Sequence, residues 1–151
     1  MKIVIDSREQ LPLWQRNILS RKLNVGDYSF EVDDKPFDDI CAIERKSAMD
    51  LVQTLSRGHD RFKREIERSK KLQYFAIVVD CTYYNIVNKK YPNSFRSKIP
   101  GYVTAKTAIT MHHKYNIPIF FTTGRVESKN LIKALFNGFY EKWVYQQEDE
   151  I

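Results

Sequence analysis

The segment that most constrains the fold is the unbroken apolar, β-favouring run at residues 74–79. A strand without polar alternation is typical of the centre of a sheet that is covered on both faces. Helical periodicity occurs on both sides of it, at residues 48–55, 60–72 and 102–115. A broad apolar stripe predicts a terminal helix, which Ser128 is expected to cap. This order of elements predicts an α/β fold with helices packed on a sheet.

Other strand-like segments complete the predicted sheet. They lie at residues 2–5, 22–28, 37–46 and 117–121. Residues 22–28 carry apolar side chains at alternate positions, which is typical of a half-buried strand. The turn-forming sequence Asp33-Asp34-Lys35-Pro36 predicts that this strand is joined to the next by a turn.

Charged residues cluster at the ends of these predicted strands. They are Asp6-Ser7-Arg8-Glu9, Gly26-Asp27, Glu44-Arg45-Lys46 and, slightly later, Asp50. Side chains two positions apart on a strand share a face, so Glu44 and Lys46 are expected on one face and Arg45 on the other. There Arg45 either meets DNA or pairs with an acid. Carboxylates beside a lysine can hold a hard divalent cation next to a nucleophilic water.

These motifs match, in order and spacing, the signature GD…ERKxxxD, and the chain resembles the XPF-type structure-specific DNA endonucleases of the PD-(D/E)xK superfamily. Asp6-Ser7-Arg8-Glu9 resembles the DxRE element of that family, and residues 57–62 resemble the segment that begins its next helix. The motifs span residues 3–82. The resemblance implies a restriction-endonuclease-like α/β core in which a central mixed sheet is flanked by helices.

The resemblance also implies a metal site. Asp27 and Glu44 correspond to the metal-binding carboxylates, and the backbone carbonyl of Arg45 is a further oxygen donor. Asp6 is expected to be an additional ligand, or a partner of the metal through water. The expected cofactor is Mg²⁺, for which Mn²⁺ substitutes.

Four further residues are assigned supporting or catalytic roles by the same resemblance. Lys46 corresponds to the residue that positions or deprotonates the attacking water, and Arg8 is expected to hold the carboxylates or a substrate phosphate. Glu9 belongs to the motif as possible support. Asp50 either contacts the metal or belongs to a helix-capping pattern that begins at Ser47, and both alternatives stay open.

The distribution of charge predicts a nucleic-acid partner. The chain has 25 basic and 19 acidic residues, and no acidic residue lies between Cys81 and Val126. In this segment Lys89, Lys90, Arg96 and Lys98 are expected to contact phosphates. A second basic region, residues 57–71, contributes Arg61 and Arg64, although a solvated helix face explains most of its charge.

Aromatic residues are interleaved with the first basic segment, at Tyr83, Tyr84, Tyr91 and Phe95. Such side chains either stack on unpaired bases or anchor the packing of their own loop. Residue types alone do not decide between these interpretations.

Together these features predict a metal-dependent DNA endonuclease acting on branched or forked DNA in repair, recombination or replication. One alternative is a non-catalytic DNA-binding subunit of a nuclease heterodimer, since the family that the chain resembles contains inactive partners. Another is a PD-(D/E)xK nuclease without structure preference. Retention of every acid of the motif and of its lysine favours the enzyme.

The remaining expectations concern context. At 151 residues the chain can bury one sizeable core, so we expect one domain over residues 1–151. No tandem helix-hairpin-helix module follows the terminal helix, and residues 148–151 form an acidic tail. This departure from the family predicts a targeting partner protein, and the compact layout suggests a virus or mobile element. Pairing through helices, as in XPF-like domains, predicts a homodimer.

The expected location is a reducing compartment. Cys41 and Cys81 lie in or beside predicted buried strands, as small core residues do. No apolar run approaches the ~18 residues of a membrane span, and the N-terminus does not resemble a secretory signal. We therefore expect the cytoplasm of a bacterial or virus-infected cell, or the nucleus if the source is eukaryotic.

Overall fold

The computed structural model describes residues 1–150, and the apolar run that dominates the sequence is an inner strand of its sheet. The strands are β1 (Lys2–Asp6), β2 (Ile18–Arg21), β3 (Tyr28–Val32), β4 (Lys35–Pro36), β5 (Cys41–Lys46), β6 (Tyr74–Val79) and β7 (Ile119–Phe121). The helices are α1 (Ala48–Leu55), α2 (His59–Ser69), α3 (Tyr83–Val87), α4 (Gly101–Tyr115) and α5 (Arg125–Asp149), with a 3₁₀ turn at Ser94–Arg96.

The sheet is mixed. Its order is β2-β1-β3-β5-β6-β7, and the short β4 pairs with β3. Strands β5, β6 and β7 are parallel to one another, whereas β3 runs antiparallel to both β1 and β5. The predicted α/β class, with a central mixed sheet flanked by helices, is therefore confirmed.

Each face of the sheet has its own apolar core. On one face, Ala42 and Ile77 pack against Phe62 and Ile66 of α2. On the other, Ile43 and Val78 pack against α5, including Phe136. Burial of each such large side chain contributes roughly 1.5–3 kcal/mol. The stripe of α5 is thus a core element, and β5 and β6 are covered on both sides.

The predicted strand at residues 22–28 is wrong. Residues 22–27 form an irregular segment, and β3 begins only at Tyr28, so Asp27 precedes a strand instead of ending one. Gly26 has a φ of 78°, and a Cβ there would lie 3.0 Å from the Ile43 carbonyl oxygen. The chain therefore turns left-handed beside β5, which only glycine does at little cost. The alternating Leu23 and Val25 are buried without forming a strand.

The predicted cap of the terminal helix is also wrong. α5 begins at Arg125, after Gly124, so that Ser128 lies inside the helix and is buried. The Ser128 hydroxyl donates to Asp80 Oδ1 over 2.5 Å and lies 2.6 Å from Thr122 Oγ1. From the sequence alone, a serine that links a helix to the end of a strand cannot be distinguished from a serine that caps the helix. In addition, β2 and α3 lie in stretches for which no element was predicted.

None of the helices within residues 1–150 combines the length and apolar character that crossing a membrane requires.

Candidate active site

Strand β5 separates the three residues of the Glu44-Arg45-Lys46 motif by face. Lys46 Nζ lies 3.4 Å from Glu44 Oε1, and the two side chains are 11% and 12% exposed. Arg45 points to the opposite face, where its Nη2 lies 2.6 Å from Asp80 Oδ2. Arg45 therefore pairs with an acid, and its guanidinium is held away from the Glu44 side chain. The period of two along a strand accounts for the whole arrangement.

Asp27 is held against β5 by its backbone and its side chain. Its amide donates to the Ile43 carbonyl over 2.9 Å, and its Oδ2 accepts the Arg45 amide over 2.8 Å. The left-handed turn at Gly26 makes this approach possible. Because the amide and carbonyl of one strand residue point the same way, the Arg45 carbonyl is directed to the edge of β5 that Asp27 occupies. Two carboxylates and a carbonyl thus converge beside the start of β3.

Asp6 is buried and forms an ion pair with Arg8. Its Oδ2 accepts from Arg8 Nε over 2.9 Å, and its Oδ1 accepts from the Leu23 amide over 2.8 Å. Burial opposes ionisation of Asp6, but the bonds from Arg8 and Leu23 outweigh it and lower the pKa. The Asp6 amide in turn donates to the Asp27 carbonyl over 2.9 Å. Both carboxylate oxygens are therefore already engaged, which favours an indirect role for Asp6 over direct metal ligation.

Glu65 also lines this site, although the sequence predicted that most charged residues of segment 57–71 face solvent. It lies on α2 four residues after Arg61, so both side chains project from the same face towards β5. Glu65 and Glu44 line the same two cavities, and Glu65 contributes to the raised pKa of Glu44. The spacing from Arg61, the arginine of the recognised helix motif, was the signal that could have identified it.

The cluster of acids strongly perturbs ionisation. Burial raises the pKa of Asp27 to about 7, with further contributions from Glu9 and Glu65 that exceed the effect of Lys46. Burial, Asp27 and Glu65 raise the pKa of Glu44 well above its usual range. Acids that are buried next to one another are stabilised in their charged forms by a bound cation.

The acids line a cleft of about 1340 Å³ whose walls carry basic side chains. One wall is formed by α1, α2 and the turn between them, including Arg57 and Arg61, and the other by Asn93 and residues 96–99. A smaller cavity of about 250 Å³ shares Asp27 and Glu44 with the cleft and extends towards Asp6 and Arg8. Glu9 lines both spaces. The cleft therefore brings together residues that are far apart in sequence.

Some of the basic residues that the sequence predicted to contact DNA line the cleft, and the others do not. Arg61, Arg96 and Lys98 line the cleft, together with Arg57, which was not selected. Lys89 instead donates from Nζ to the Ser97 carbonyl over 2.5 Å, so its charge stabilises the loop of residues 93–99.

Lys90 and Arg64 are exposed and are not among the residues that line the cleft. The Lys90 ammonium lies 5.2 Å from the centre of the Tyr84 ring.

Asp50 combines features of both of its alternatives. Its backbone amide donates to Ser47 Oγ over 3.1 Å, so Ser47 caps α1, which was one of the two alternatives. The Asp50 carboxylate nevertheless lines the cleft. Capping therefore leaves this carboxylate available at the wall of the site.

The raised pKa of Asp27 predicts a pH-dependent stability. The carboxyl is protonated in the folded chain below about pH 7, whereas an unperturbed aspartate, as in the unfolded chain, has a pKa of 3.8. The wild type therefore loses stability as pH rises between these values. We expect Asp27→Asn to stabilise the metal-free protein by ~1–3 kcal/mol more at pH 8 than at pH 5. Urea unfolding in a chelator measures the difference, and an equal effect at both pH values would contradict the assignment.

The mixed sheet with helices on both faces is the α/β fold of the XPF nucleases. Its strand β5 carries the partly buried Glu44 and Lys46. Residues 5–135 match the family model described as the ERCC4 domain, and the chain belongs to this family.

Solved structures of XPF share the fold of this chain. The structure of "XPF from Aeropyrum pernix, complex with DNA" superposes with a TM-score of 0.66 at 19% identity, covering 93% of this chain and 66% of that one. The structure of "XPF from Aeropyrum pernix" gives a TM-score of 0.65 at 19% identity, covering 91% and 60%. The chain thus spans less than two thirds of these relatives. No curated protein matches the sequence significantly.

Proposed function

We propose that this protein is a metal-dependent DNA endonuclease that hydrolyses phosphodiester bonds in branched or forked DNA. The observation that carries the proposal is the convergence of Asp27, Glu44 and Lys46 in a cleft whose walls carry Arg57, Arg61, Arg96 and Lys98. Membership of the ERCC4 domain family and a fold shared with an XPF that binds DNA support it. The expected products carry 5′-phosphate and 3′-hydroxyl ends.

The donors present fit Mg²⁺. Within residues 1–150 no set of three or more His, Cys, Asp or Glu side chains is arranged to hold a metal ion. Mg²⁺ does not need such a cage, because it is commonly held by one or two carboxylates, with water and substrate phosphate completing its shell. Asp27, Glu44 and the Arg45 carbonyl would provide the protein ligands. The ion, when bound, supplies positive charge and a more acidic water.

Lys46 would act on the attacking water and the reacting phosphate. Its ammonium lies 3.4 Å from Glu44 Oε1 and 5.9 Å from the centre of the Phe62 ring, which limits its movement. From this position it can orient the water and offset negative charge that develops on the phosphate. Arg8, fixed by Asp6, would bind a phosphate oxygen at the smaller cavity. Glu65, which lines the same two cavities as Glu44, would help to position it.

The cleft cations provide a prediction for DNA binding. We expect Arg96→Gln and Lys98→Gln each to weaken duplex binding and to reduce the slope of log K against log salt by about 0.9. Fluorescence anisotropy over a salt series measures this slope. Lys133→Gln, on an exposed position of α5, is the control and should leave the slope unchanged. An unchanged slope for both cleft variants would exclude phosphate contacts at these positions.

Cleavage of matched substrates tests the proposal. End-labelled fork, linear duplex and single strand of one sequence are incubated with Mg²⁺ or Mn²⁺. Preferential cutting of the fork supports the proposed substrate, whereas equal cutting of all duplexes indicates a nuclease without structure preference. Tight DNA binding without cutting in either metal would instead identify a non-catalytic DNA-binding subunit.

The proposal includes a homodimer and a partner protein that targets the nuclease to its DNA substrate. Ile132 and Phe136 of α5 are fully buried in the core of the chain itself, so a homodimer through helices would use other residues. Sedimentation with and without forked DNA tests for the dimer. Fork selectivity by the isolated chain would make a targeting partner unnecessary.

A further inference from the structure

The loop opposite α1 and α2 exposes an aromatic ring that the core does not use. Phe95 is 79% exposed, the highest value for any aromatic side chain within residues 1–150. Of its aromatic neighbours, Tyr91 packs against the core, and Tyr83 contacts Phe121 with ring centres 5.8 Å apart. Tyr84 is 63% exposed, and its ring centre lies 5.2 Å from the Lys90 ammonium. Anchoring of the loop thus accounts for Tyr91 and Tyr83. It does not account for Phe95.

The ring is presented on a turn that is closed by a hydrogen bond of its own and anchored at its C-terminal side by Lys89. Phe95 is the middle residue of the 3₁₀ turn Ser94–Arg96, which follows Asn93 in the left-handed conformation. The Arg96 amide donates to the Asn93 carbonyl over 3.0 Å, and Lys89 Nζ donates to the Ser97 carbonyl over 2.5 Å. Such anchoring reduces the conformational entropy that the loop loses when a ligand binds to it.

The position and charge of the turn indicate which ligand it would contact. Asn93, Arg96 and Lys98 line the cleft, and the Phe95 ring centre lies 5.8 Å from the Arg96 guanidinium carbon. No acidic residue occurs in the surrounding segment from Cys81 to Val126. The loop therefore offers an apolar aromatic face beside two cations at the edge of the cleft. This combination suits a base with its adjoining phosphates.

We propose that Phe95 is a stacking platform for an unpaired base of the DNA that occupies the cleft. This inference rests on the proposed function and deepens it by naming the substrate feature that is recognised. In an intact duplex the faces of the bases are covered by their neighbours, whereas a fork or flap exposes a base face where pairing ends. The ring therefore contributes to the preference for branched DNA, while Arg96 and Lys98 bind phosphates in any DNA.

Binding of a fluorescent fork tests this proposal. The fork and a matched duplex carry 2-aminopurine at and around the branch position, and binding is measured in a chelator so that no cutting occurs. We expect Phe95→Ala to weaken fork binding about 5- to 150-fold and duplex binding less than about twofold. Quenching of 2-aminopurine by the wild type should be lost in Phe95→Ala. Phe95→Trp, which keeps a stacking face, should retain both quenching and affinity.

Tyr145→Ala is the control, because Tyr145 is an exposed aromatic residue on α5, which packs on the face of the sheet opposite α1 and α2. Unchanged fork binding by Phe95→Ala, or an equal loss for fork and duplex, would overturn the stacking role. A wild type that binds the fork through Phe95 but never cuts it would contradict the nuclease proposal alone. A wild type that cuts the fork with no dependence on Phe95 would contradict this inference alone.

Discussion

Replacing Lys46 with alanine is expected to lower the single-turnover rate of DNA cleavage by about 10²–10⁴-fold. The physical reason is the place of its ammonium, 3.4 Å from Glu44 Oε1 in a site where both side chains are nearly excluded from solvent. A charge in such surroundings acts on the reacting phosphate with little screening by water. Quenched-flow cleavage of end-labelled fork at saturating enzyme measures the rate.

Two controls check that the loss of rate is specific to catalysis by Lys46. They are the DNA affinity of Lys46→Ala and the cleavage rate of Lys133→Ala. DNA binding by Lys46→Ala should change less than about threefold, because one buried ammonium contributes little to the phosphate contacts of the whole cleft. Lys133→Ala, on an exposed position of α5, should cut at the wild-type rate. Full activity of Lys46→Ala would contradict the catalytic role, and a parallel loss of affinity and rate would make Lys46 a binding residue.

Replacing Asp80 with alanine is expected to destabilise the fold by ~3–5 kcal/mol, because a buried charge loses its partner. Arg45 and Asp80 have side chains only 13% and 7% exposed, and Asp80 also accepts the Ser128 hydroxyl from α5. The variant thus leaves Arg45 unpaired and loosens the junction between β6 and α5. Equilibrium urea unfolding measures the loss.

An exposed ion pair of the same protein is the control for this prediction. Lys70 and Glu67 are 61% and 73% exposed and lie 2.8 Å apart on α2 and at its end. Glu67→Ala should therefore cost no more than ~1 kcal/mol. If Asp80→Ala costs as little as Glu67→Ala, the Arg45–Asp80 pair does not hold β5 in place.

Features governed by local periodicity could be predicted from sequence. The alternation of strand side chains predicted that Glu44 and Lys46 share a face opposite Arg45, and the ion pairs of both faces agree. The capping pattern at Ser47 and the central strand at residues 74–79 were predictable for the same reason. Each depends on residues within a few positions of one another.

Features that depend on tertiary contacts could not be predicted in this way. The alternation of Leu23 and Val25 predicted a strand, but burial in an irregular segment produces the same pattern. Glu65 looked like a surface charge because its partner, Glu44, is distant in sequence. Lys89 looked like a DNA contact, yet its ammonium is used by the Ser97 carbonyl. In each case the deciding neighbour lies on another element or beyond the local turn.

The most direct test of the central claim is cleavage of end-labelled forked DNA by the wild type and by Asp27→Ala, each in a chelator, in Mg²⁺ and in Mn²⁺. We expect the wild type to cut only when metal is present, leaving 5′-phosphate ends, and Asp27→Ala to bind the fork without cutting it. Cutting by the wild type in a chelator, or undiminished cutting by Asp27→Ala, would contradict the assignment of the metal site to Asp27 and Glu44.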